Sequence, residues 1–276
     1  MKQQIKIIAL DLDGTLLNSN KELTPENESA LRRAAEAGIE IVPTTGRLHN
    51  AIPDVIRDLP YINYVISVNG AEVYDLRRDY VVSKAEIPWQ QAIEIMTYLD
   101  TLPTIYDCYM DNAAWMTARM KDEIDNFAPN EQYRKMLIEL RQPVDELKAF
   151  LAQRQHDIQK TQFFLNDPDL RKRLLTELND RFDNVAVSSS VDKNIEINHK
   201  DANKGTALLS LAEYLGVPAE CTMSFGDGLN DLPMILAAGI GVAMENADDD
   251  IKAQADVIAP DCDSNGVAAV IEQYCL

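Results

Sequence analysis

Two stretches of the sequence end in acidic residues whose spacing could bind a cation or move a proton. Asp11 and Asp13 directly follow the apolar run Ile5–Leu10, and Asp227 and Asp231 follow a second apolar run. At about 4 Å, two carboxylates repel each other by roughly 4 kcal/mol at an effective dielectric constant of 20. Such acids either share a cation or are ordinary acids of a solvated loop. The other polar groups of the chain are needed to distinguish these two interpretations.

Further polar groups follow the apolar stretch Ile39–Pro43. The Thr45 hydroxyl can donate a hydrogen bond, Gly46 lets main-chain N–H groups approach a ligand, and Arg47 supplies positive charge. This combination suits an oxyanion. A polar turn that leads into a helix would use the same residues, and that alternative stays open on this motif alone.

Two later motifs also lie where a strand ends or a helix begins. Asn69 and Gly70 follow the short apolar run Tyr64–Val68, and this dipeptide predicts a turn with a β-hairpin beyond it. Lys204 stands at the start of a predicted helix that Gly216 closes. It would bring a positive charge to the acidic groups if the fold places them together.

The elements that carry these residues alternate between strand and helix over the first eighty residues and again after about residue 200. This order predicts an α/β fold with a Rossmann-like parallel sheet. The carboxyl ends of parallel strands lie at one edge of such a sheet, where open α/β sheets bind ligands. Residues two hundred positions apart can therefore converge at that edge.

Apolar runs and helix signals predict the elements of this core. The predicted strands are Ile5–Leu10, Ile39–Pro43, Tyr64–Val68, Cys221–Phe225, Ile240–Ala243 and Asp256–Ile258, with a hairpin over 72–82. The predicted helices begin at Pro25 and end before Gly38, cover Ile52–Leu59, begin after Asn203 and end at Gly216, and cover Ala247–Gln254 and Gly266–Tyr274.

Between about Ser83 and Asn198 the strands are shorter or more polar, and no acidic motif recurs at a strand end. We therefore predict an inserted α+β domain at residues 84–198, within a core of residues 1–83 and 199–276. Its predicted helices are Pro88–Leu99, Lys121–Phe127, Pro143–Gln155 and Pro168–Asp180. Its predicted strands are Thr104–Tyr109, Ala114–Thr117, Ile158–Leu165, Val185–Ser189 and Asn194–Asn198.

Carboxylates gathered in one place, without clustered histidine or cysteine, form a hard oxygen site of the kind that binds Mg²⁺. Lys204 adds the charge that holds a phosphoryl oxygen, and Thr45 adds a neutral donor. An aspartate beside the ion can act as a nucleophile and form an aspartyl phosphate. A second aspartate two residues on can protonate the leaving oxygen and later activate water.

The charge composition excludes some classes of binding partner. The chain has 276 residues and a formal net charge of −19, which argues against nucleic-acid or anionic-membrane partners because both would be repelled. A small phosphorylated substrate would be repelled as well, unless a cation and placed Lys or Arg residues reverse the field locally. No apolar stretch approaches eighteen residues, and no signal-peptide core follows Met1, so a cytoplasmic protein is expected.

The four cysteines are widely separated and contain no CxxC pair, so we expect free thiols. The three histidines are equally scattered. Nucleophilic systems built on Ser/His/Asp or Cys/His therefore have little support.

Four motifs together resemble those of the haloacid dehalogenase superfamily phosphatases. They are Asp11-Leu12-Asp13-Gly14-Thr15-Leu16-Leu17, Thr45-Gly46-Arg47, Asn203-Lys204-Gly205 and Gly226-Asp227-Gly228-Leu229-Asn230-Asp231. Their order, together with Asn69-Gly70-Ala71 and the large insertion, is similar to the Cof-type sugar-phosphatase branch with a type IIB cap. The cap is matched by position and size alone.

The resemblance implies roles by matching position. Asp11 would be the nucleophile and Asp13 the general acid/base, and Mg²⁺ would be held by Asp11, Asp227 and the main-chain carbonyl of Asp13. Phosphate or substrate contacts are implied for Thr45, Gly46, Arg47, Lys204 and Asn230. Asp231 would support Lys204 or the waters of the metal, and Asn69 and Gly70 would lie on loops that face the substrate.

The expected function is Mg²⁺-dependent hydrolysis of small phosphate monoesters, with sugar phosphates as the expected substrates. A phosphomutase or phosphotransferase acting on sugar phosphates is the alternative, and a phospho-accepting signalling domain is a remote one. Haloacid dehalogenation is disfavoured because the resemblance associates the second acid, Asp13, with phosphatases. Substrate selection is expected in the cap, where the aromatic and polar candidates are Tyr106, Tyr109, Met110, Asn112, Trp115 and Arg119. The sequence does not predict the oligomeric state.

Overall fold

The computed structural model describes residues 4–189 and 191–276, and only the main chain of Gln132. The chain divides into two compact units, with boundaries after Lys84 and after Asp201. These boundaries lie one and three residues beyond those predicted, and residues 1–3 of the predicted core are outside the described residues. The first unit contains both ends of the described chain, and the second unit, Ala85–Asp201, is inserted into it.

The described residues form fourteen strands. They are β1 (Ile7–Leu10), β2 (Glu40–Pro43), β3 (Tyr64–Ser67), β4 (Glu72–Asp75), β5 (Tyr80–Lys84), β6 (Ile105–Met110), β7 (Ala113–Thr117), β8 (Arg141–Val144), β9 (Lys160–Phe164), β10 (Val185–Ser188), β11 (Asn194–His199), β12 (Thr222–Gly226), β13 (Ile240–Met244) and β14 (Val257–Ala259).

The described residues also form twelve α-helices. They are α1 (Pro25–Glu36), α2 (Asp54–Arg57), α3 (Trp89–Leu99), α4 (Ala118–Asp122), α5 (Ile124–Phe127), α6 (Glu131–Leu140), α7 (Leu147–Arg154), α8 (Pro168–Arg181), α9 (Lys204–Tyr214), α10 (Leu232–Ala237), α11 (Asp249–Lys252) and α12 (Gly266–Tyr274). In the part of the chain that the structure describes, every helix is too short or too polar to cross a membrane.

A five-stranded parallel sheet forms the centre of the first unit, with the strand order β14-β13-β12-β1-β2. β1 is fully buried, as its apolar sequence predicted, because helices cover both faces of the sheet. Ile8 and Leu10 pack on one side with α1 and α12, whereas Ile7 and Ala9 pack on the other side with α9 and Met234 of α10. The predicted α/β core with a parallel sheet is confirmed.

The third strand belongs to a separate three-stranded antiparallel sheet with the order β3-β4-β5. Two isolated parallel bridges, Ile41 with Ile62 and Thr44 with Ile66, join it to β2. The predicted Asn-Gly turn lies between β3 and β4, where Asn69 and Gly70 both have positive φ. The carboxyl end of β3 therefore stays beside that of β2.

The second unit contains a six-stranded sheet of order β10-β11-β9-β6-β7-β8, in which only the described pair β7 and β8 is parallel. Its apolar side chains form one core with those of the surrounding helices. Charged groups are also buried here: the Arg141 Nε atom donates to Asp107 Oδ2 at 2.8 Å, and both side chains are completely buried. This mostly antiparallel sheet and its helices have the α+β architecture that was predicted for the insertion.

Three elements of the second unit differ from the prediction. The expected helix Lys121–Phe127 is divided into two short helices, α4 and α5. A helix was expected over Pro143–Gln155, but Pro143 lies in the edge strand β8 and α7 begins at Leu147. An edge position accommodates proline because its missing N–H need not bond to a neighbouring strand. Helix α6, which was not predicted, begins after Asn130, whose side chain accepts a hydrogen bond from the Tyr133 N–H.

Two helices of the first unit are shorter than predicted. The expected helix Ile52–Leu59 is the single turn α2, preceded by a 3₁₀ turn at His49–Ala51. Pro53 caps the start of α2, since proline cannot donate within a longer helix. The expected helix Ala247–Gln254 is reduced to α11.

Candidate active site

The carboxyl ends of β2, β1 and β12 lie side by side. Leu10, the last residue of β1, is in register with Phe225 of β12 and Pro43 of β2. The Asp11 N–H donates to the Phe225 carbonyl at 3.0 Å, and the Thr44 N–H donates to the Leu10 carbonyl at 2.7 Å. The polar residues that follow these three strands are therefore neighbours in space.

Lys204 lies at the centre of the polar groups. It is the first residue of α9, and its side chain is completely buried. Its Nζ donates to Asp11 Oδ1 at 2.6 Å and to Asp231 Oδ1 at 2.5 Å. The start of α9 is held close to the β3–β4 turn, since a Cβ at Gly70 would lie 2.3 Å from the Asn203 carbonyl oxygen.

Asp231 braces the loop that follows β12. Its Oδ2 accepts hydrogen bonds from the main-chain N–H groups of Asp227 at 2.9 Å and Gly228 at 2.8 Å. With Lys204, this carboxylate accepts three hydrogen bonds out of about four that it can accept. The side chain of Asp231 is therefore occupied in holding Lys204 and the loop.

The acidic groups fit a divalent cation. One carboxylate oxygen from each of Asp11, Asp227 and Asp231 lies within 4.8 Å of the other two. Asp231 has little capacity left, whereas Asp11 has an oxygen beyond the one that Lys204 contacts. Oxygen donors without nitrogen or sulfur are the ligands that Mg²⁺ and similar hard cations select. Asp11 and Asp227 are thus the side chains best placed to hold such an ion.

Burial and mutual repulsion change the acid–base behaviour of these groups. Burial raises the pKa of Asp11 to about 7, although Lys204 acts in the opposite direction. Burial also raises the pKa of Asp227, and Asp231 adds to the shift while the Thr15 hydrogen bond opposes it. For Lys204, the two carboxylates outweigh burial and raise the pKa, so the ammonium stays charged.

Asp13 is in a different environment from Asp11. Arg47 binds its carboxylate with two hydrogen bonds, Nε to Oδ2 at 3.0 Å and Nη2 to Oδ1 at 2.8 Å. Lys21 Nζ lies 3.0 Å from Asp13 Oδ1. Burial raises the pKa of Asp13, but Arg47 and Lys21 outweigh it, so the net pKa is lowered. Within one motif, the pKa of Asp11 is therefore raised and the pKa of Asp13 is lowered.

The loop after β2 is tied to the loop after β3. The Thr45 N–H donates to the Ile66 carbonyl at 2.8 Å, and the Thr45 carbonyl accepts from the Asn69 N–H at 3.0 Å. A Cβ at Gly46 would lie 2.9 Å from Asn69 Oδ1, so a larger residue would displace that side chain. Asn230 reaches the same Asn69 oxygen with its Nδ2 at 3.1 Å.

Sequence reasoning missed three residues of this region. Thr15 donates its hydroxyl to Asp227 Oδ1 at 2.7 Å. Asn246, beyond the end of β13, donates from Nδ2 to the Gly14 carbonyl at 2.9 Å. Lys21, which lies in a tight turn with a φ of 64°, was also missed, because this backbone conformation is visible only in the structure. Thr15 lay inside a recognised motif, whereas the sequence contained no signal for Asn246.

The structure thus brings together Asp11, Asp13, Thr45, Gly46, Arg47, Lys204, Asp227, Asn230 and Asp231 at one edge of the parallel sheet. The candidates in the second unit are in mixed surroundings. Tyr106, Tyr109 and Met110 are buried, Trp115 packs against Phe150, and Arg119 forms a surface ion pair with Glu123. These candidates contribute to the core or the surface of their own unit.

The four cysteines, Cys108, Cys221, Cys262 and Cys275, are free thiols, as predicted.

A parallel α/β sheet with acidic loops and a buried lysine at its carboxyl edge has its polar groups where open α/β sheets bind ligands. The chain belongs to the haloacid dehalogenase-like hydrolases, since the model of this family matches residues 8–271. The resemblance read from the four motifs is confirmed.

The chain is also similar to individual proteins of this family. Phosphatase YwpJ of Bacillus subtilis (strain 168) is 32% identical over 296 residues, covering 97% of this chain and 99% of that protein. The 5-amino-6-(5-phospho-D-ribitylamino)uracil phosphatase YcsE of the same organism is 31% identical over 274 residues, covering 99% and 96%. A solved structure of a haloacid dehalogenase-like hydrolase from B. subtilis has a TM-score of 0.82 at 30% identity, covering 97% and 99%. The predicted class, a phosphatase of this superfamily, is confirmed.

Proposed function

We propose that the protein hydrolyses small phosphate monoesters, with sugar phosphates as the substrate class, through an aspartyl phosphate on Asp11 in the presence of Mg²⁺. The observation that carries the proposal is the position of Lys204, whose ammonium joins Asp11 to Asp231 beside Asp227. In this proposal Asp11 would be the nucleophile, Asp11 and Asp227 the metal-binding pair, and Lys204 the fixed cation. The relative named for a phosphorylated ribityl group supports a phosphate ester of a polyhydroxylated chain.

Asp11, Asp227 and the main-chain carbonyl of Asp13 would hold the ion. When bound, Mg²⁺ supplies positive charge that offsets the repulsion between the carboxylates and the phosphate. Lys204 fixes the Asp11 carboxylate and would bind a phosphoryl oxygen. Thr45, Gly46, Arg47 and Asn230 would bind the remaining phosphate oxygens or the substrate, and Asp231 keeps Lys204 in place.

In the first half-reaction, an Asp11 oxygen attacks phosphorus, the bond between phosphorus and the ester oxygen breaks, and Asp13 gives its proton to that leaving oxygen. In the second, a water oxygen attacks phosphorus while the Asp13 carboxylate takes a proton from the water. The bond to Asp11 then breaks and inorganic phosphate is released. Asp11 is then a free carboxylate again, and Asp13 again carries the proton that it held when the first step began.

The contacts of Asp13 suggest how it obtains the proton for the first step. Arg47 and Lys21 keep this carboxyl group ionised in the structure. A phosphate dianion that binds Arg47 competes with Asp13 for the same guanidinium. Loss of Arg47 removes the strongest influence that lowers the pKa of Asp13, so the carboxyl group can take up a proton as substrate binds.

We assign to the inserted unit the role of a cap that selects substrates. Lids over active sites commonly exclude water and sort substrates in this way. Electrostatics also affects substrate binding. The net charge of −19 repels anions, so Lys21, Arg47 and Lys204 must provide local positive charge for a phosphorylated substrate to bind.

The test is phosphate release from a panel of hexose and pentitol phosphates, with Mg²⁺ or with EDTA. We expect EDTA to abolish activity and Mg²⁺ to restore it. Asp11→Asn should reduce turnover by more than about a thousandfold, because removal of a nucleophile has effects of this size or larger. Asp58→Asn, at an exposed aspartate paired with Arg57, is the matched control.

Two outcomes would contradict the proposal. Retained activity in Asp11→Asn would reject the aspartyl phosphate. Isomerised sugar without free phosphate would identify the protein as a phosphomutase instead.

A further inference from the structure

Asn246 connects three separate segments of the first unit. Its Nδ2 donates to the Gly14 carbonyl at 2.9 Å and lies 3.4 Å from Asp227 Oδ2. Its Oδ1 accepts from the Cys262 N–H at 3.1 Å. One exposed side chain thus links the turn after β1, the loop after β12 and the segment that precedes α12.

The turn after β1 and the Asp227 carboxylate are in tight contact, so a small displacement of one would move the other. Gly14 has a φ of +92°, and a Cβ at this position would lie 2.5 Å from Asp227 Oδ2. Thr15 holds the other oxygen, Oδ1, through its hydroxyl. Asn246 donates on the Oδ2 side, so the carboxylate is held from both sides.

A neutral amide suits this position. It can orient a carboxylate without cancelling its charge, whereas a lysine or arginine would compete with a bound cation. The same N–H₂ group also holds the Gly14 carbonyl, which belongs to the turn that carries Asp13. Mutation of a residue that hydrogen-bonds to a metal ligand typically lowers metal affinity or activity by ten- to a hundredfold.

We infer that Asn246 is a positioning residue that sets the affinity of the acidic site for its divalent ion, by fixing Asp227 and the turn at Gly14 relative to each other. This inference rests on the proposed function, because it takes Asp227 to be a ligand of Mg²⁺. Asn246 touches neither substrate nor reacting atoms in this role.

The test uses the full chain and the variant Asn246→Ala. Binding of Mg²⁺ to metal-free protein is measured by titration calorimetry without substrate, and the melting temperature is measured in EDTA. The control is Asn63→Ala, because the Asn63 amide also donates to a carboxylate, that of Glu40 at 2.7 Å, at the start of β2. Asn246→Ser serves as a second variant if the alanine variant does not fold.

We expect the Kd for Mg²⁺ to rise about ten- to a hundredfold in Asn246→Ala and to stay within about twofold in Asn63→Ala. Phosphate release should recover at high Mg²⁺, with the KM for substrate little changed. A role confined to the Cys262 contact would instead lower the melting temperature in EDTA and leave the Kd unchanged.

An unchanged Kd in Asn246→Ala, with a wild-type protein that binds Mg²⁺ and releases phosphate, would overturn this inference alone. A wild-type protein that neither binds Mg²⁺ nor releases phosphate would overturn the proposed function together with it. The two failures are therefore distinguishable in one set of measurements.

Discussion

Lys204 is the cation on which the charge balance at the sheet edge depends. Its Nζ lies 2.6 Å from Asp11 Oδ1 and 2.5 Å from Asp231 Oδ1, and its side chain is completely buried. The variant Lys204→Met keeps an apolar stem of similar length and removes the ammonium group. Two buried carboxylates would then face each other without a positive charge between them.

The cost can be worked from the geometry. Oxygens of Asp11 and Asp231 lie within 4.8 Å of each other, and two unit charges at that distance repel by about 3.5 kcal/mol at an effective dielectric constant of 20. Removal of one partner from a buried ion pair generally costs about 3–5 kcal/mol. We therefore expect the free energy of unfolding to fall by about 3–5 kcal/mol near pH 8 in EDTA.

The loss should depend on pH with a defined sign. Burial already raises the pKa of Asp11 to about 7 while Lys204 opposes the shift, so loss of Lys204 raises it further. An unfolded aspartate has a pKa of about 3.9, and the folded variant therefore binds a proton more tightly than its unfolded chain. Stability of the variant should rise as the pH falls from about 8 towards about 5, because protonation of one carboxyl removes the repulsion.

The assay is urea unfolding of the wild type and Lys204→Met in EDTA, followed by circular dichroism at both pH values. Lys252→Met is the control, since this lysine pairs with the fully exposed carboxylate of Asp249 and exposed pairs contribute little. A loss below about 1 kcal/mol at the higher pH, or one that matches the control, would refute the reasoning. An equal loss at both pH values would refute the assignment to carboxylate repulsion.

Two further substitutions test the packing around the site and in the second unit. Gly14→Ala should lower turnover at least about tenfold and stability by about 1–3 kcal/mol, because it meets Asp227 at a positive φ; Gly38→Ala, at a φ of +84° with no atom within 4 Å, should leave phosphate release unchanged. Arg141→Met should cost about 3–5 kcal/mol in urea unfolding by leaving Asp107 buried and unpaired, and adding Asp107→Leu should recover at least half of that loss in a double-mutant cycle.

Strong local patterns predicted the core of the fold. β1 and β12 are apolar runs followed by Asp or Gly, and both are central strands of the parallel sheet. Helix α1 was recognisable because Thr24 accepts from the Asn27 N–H and Pro25 occupies the first helical position. Such signals depend only on neighbouring residues, so they can be read without knowledge of tertiary contacts.

The misread elements depend on contacts that are distant in sequence. Strand β8 has the polar sequence Arg-Gln-Pro-Val, and it is held by pairing with β7 and by the contact of Arg141 with Asp107. Neither contact has a local signature. Helix α6 is the exception, because its signals are local: Asn130 is an N-cap, and Tyr133, Met136, Leu137 and Leu140 follow it at the i, i+3, i+4 and i+7 spacing of an amphipathic helix.

Within the site, motif residues were predictable and bridging residues were not. Lys204 and Asp227 stand in recognisable motifs, and the sheet topology explains why they meet Asp11. Asn246 acts through hydrogen bonds to residues 232 and 19 positions away. A side-chain amide that joins such distant loops leaves no periodic or spacing pattern in one sequence.

The central place of β1 in the sheet has a consequence for synthesis of the protein. Ile7 pairs with Glu40 on one side, but its partner on the other side, Thr222, leaves the ribosome more than two hundred residues later. At about 5–20 residues per second, the nascent chain waits roughly 10–40 s for that strand. During this interval one edge of an apolar strand lacks its final partner and is open to pairing with other chains. Chaperone protection of the early polypeptide would therefore matter more for this topology than for one whose central strand is made last.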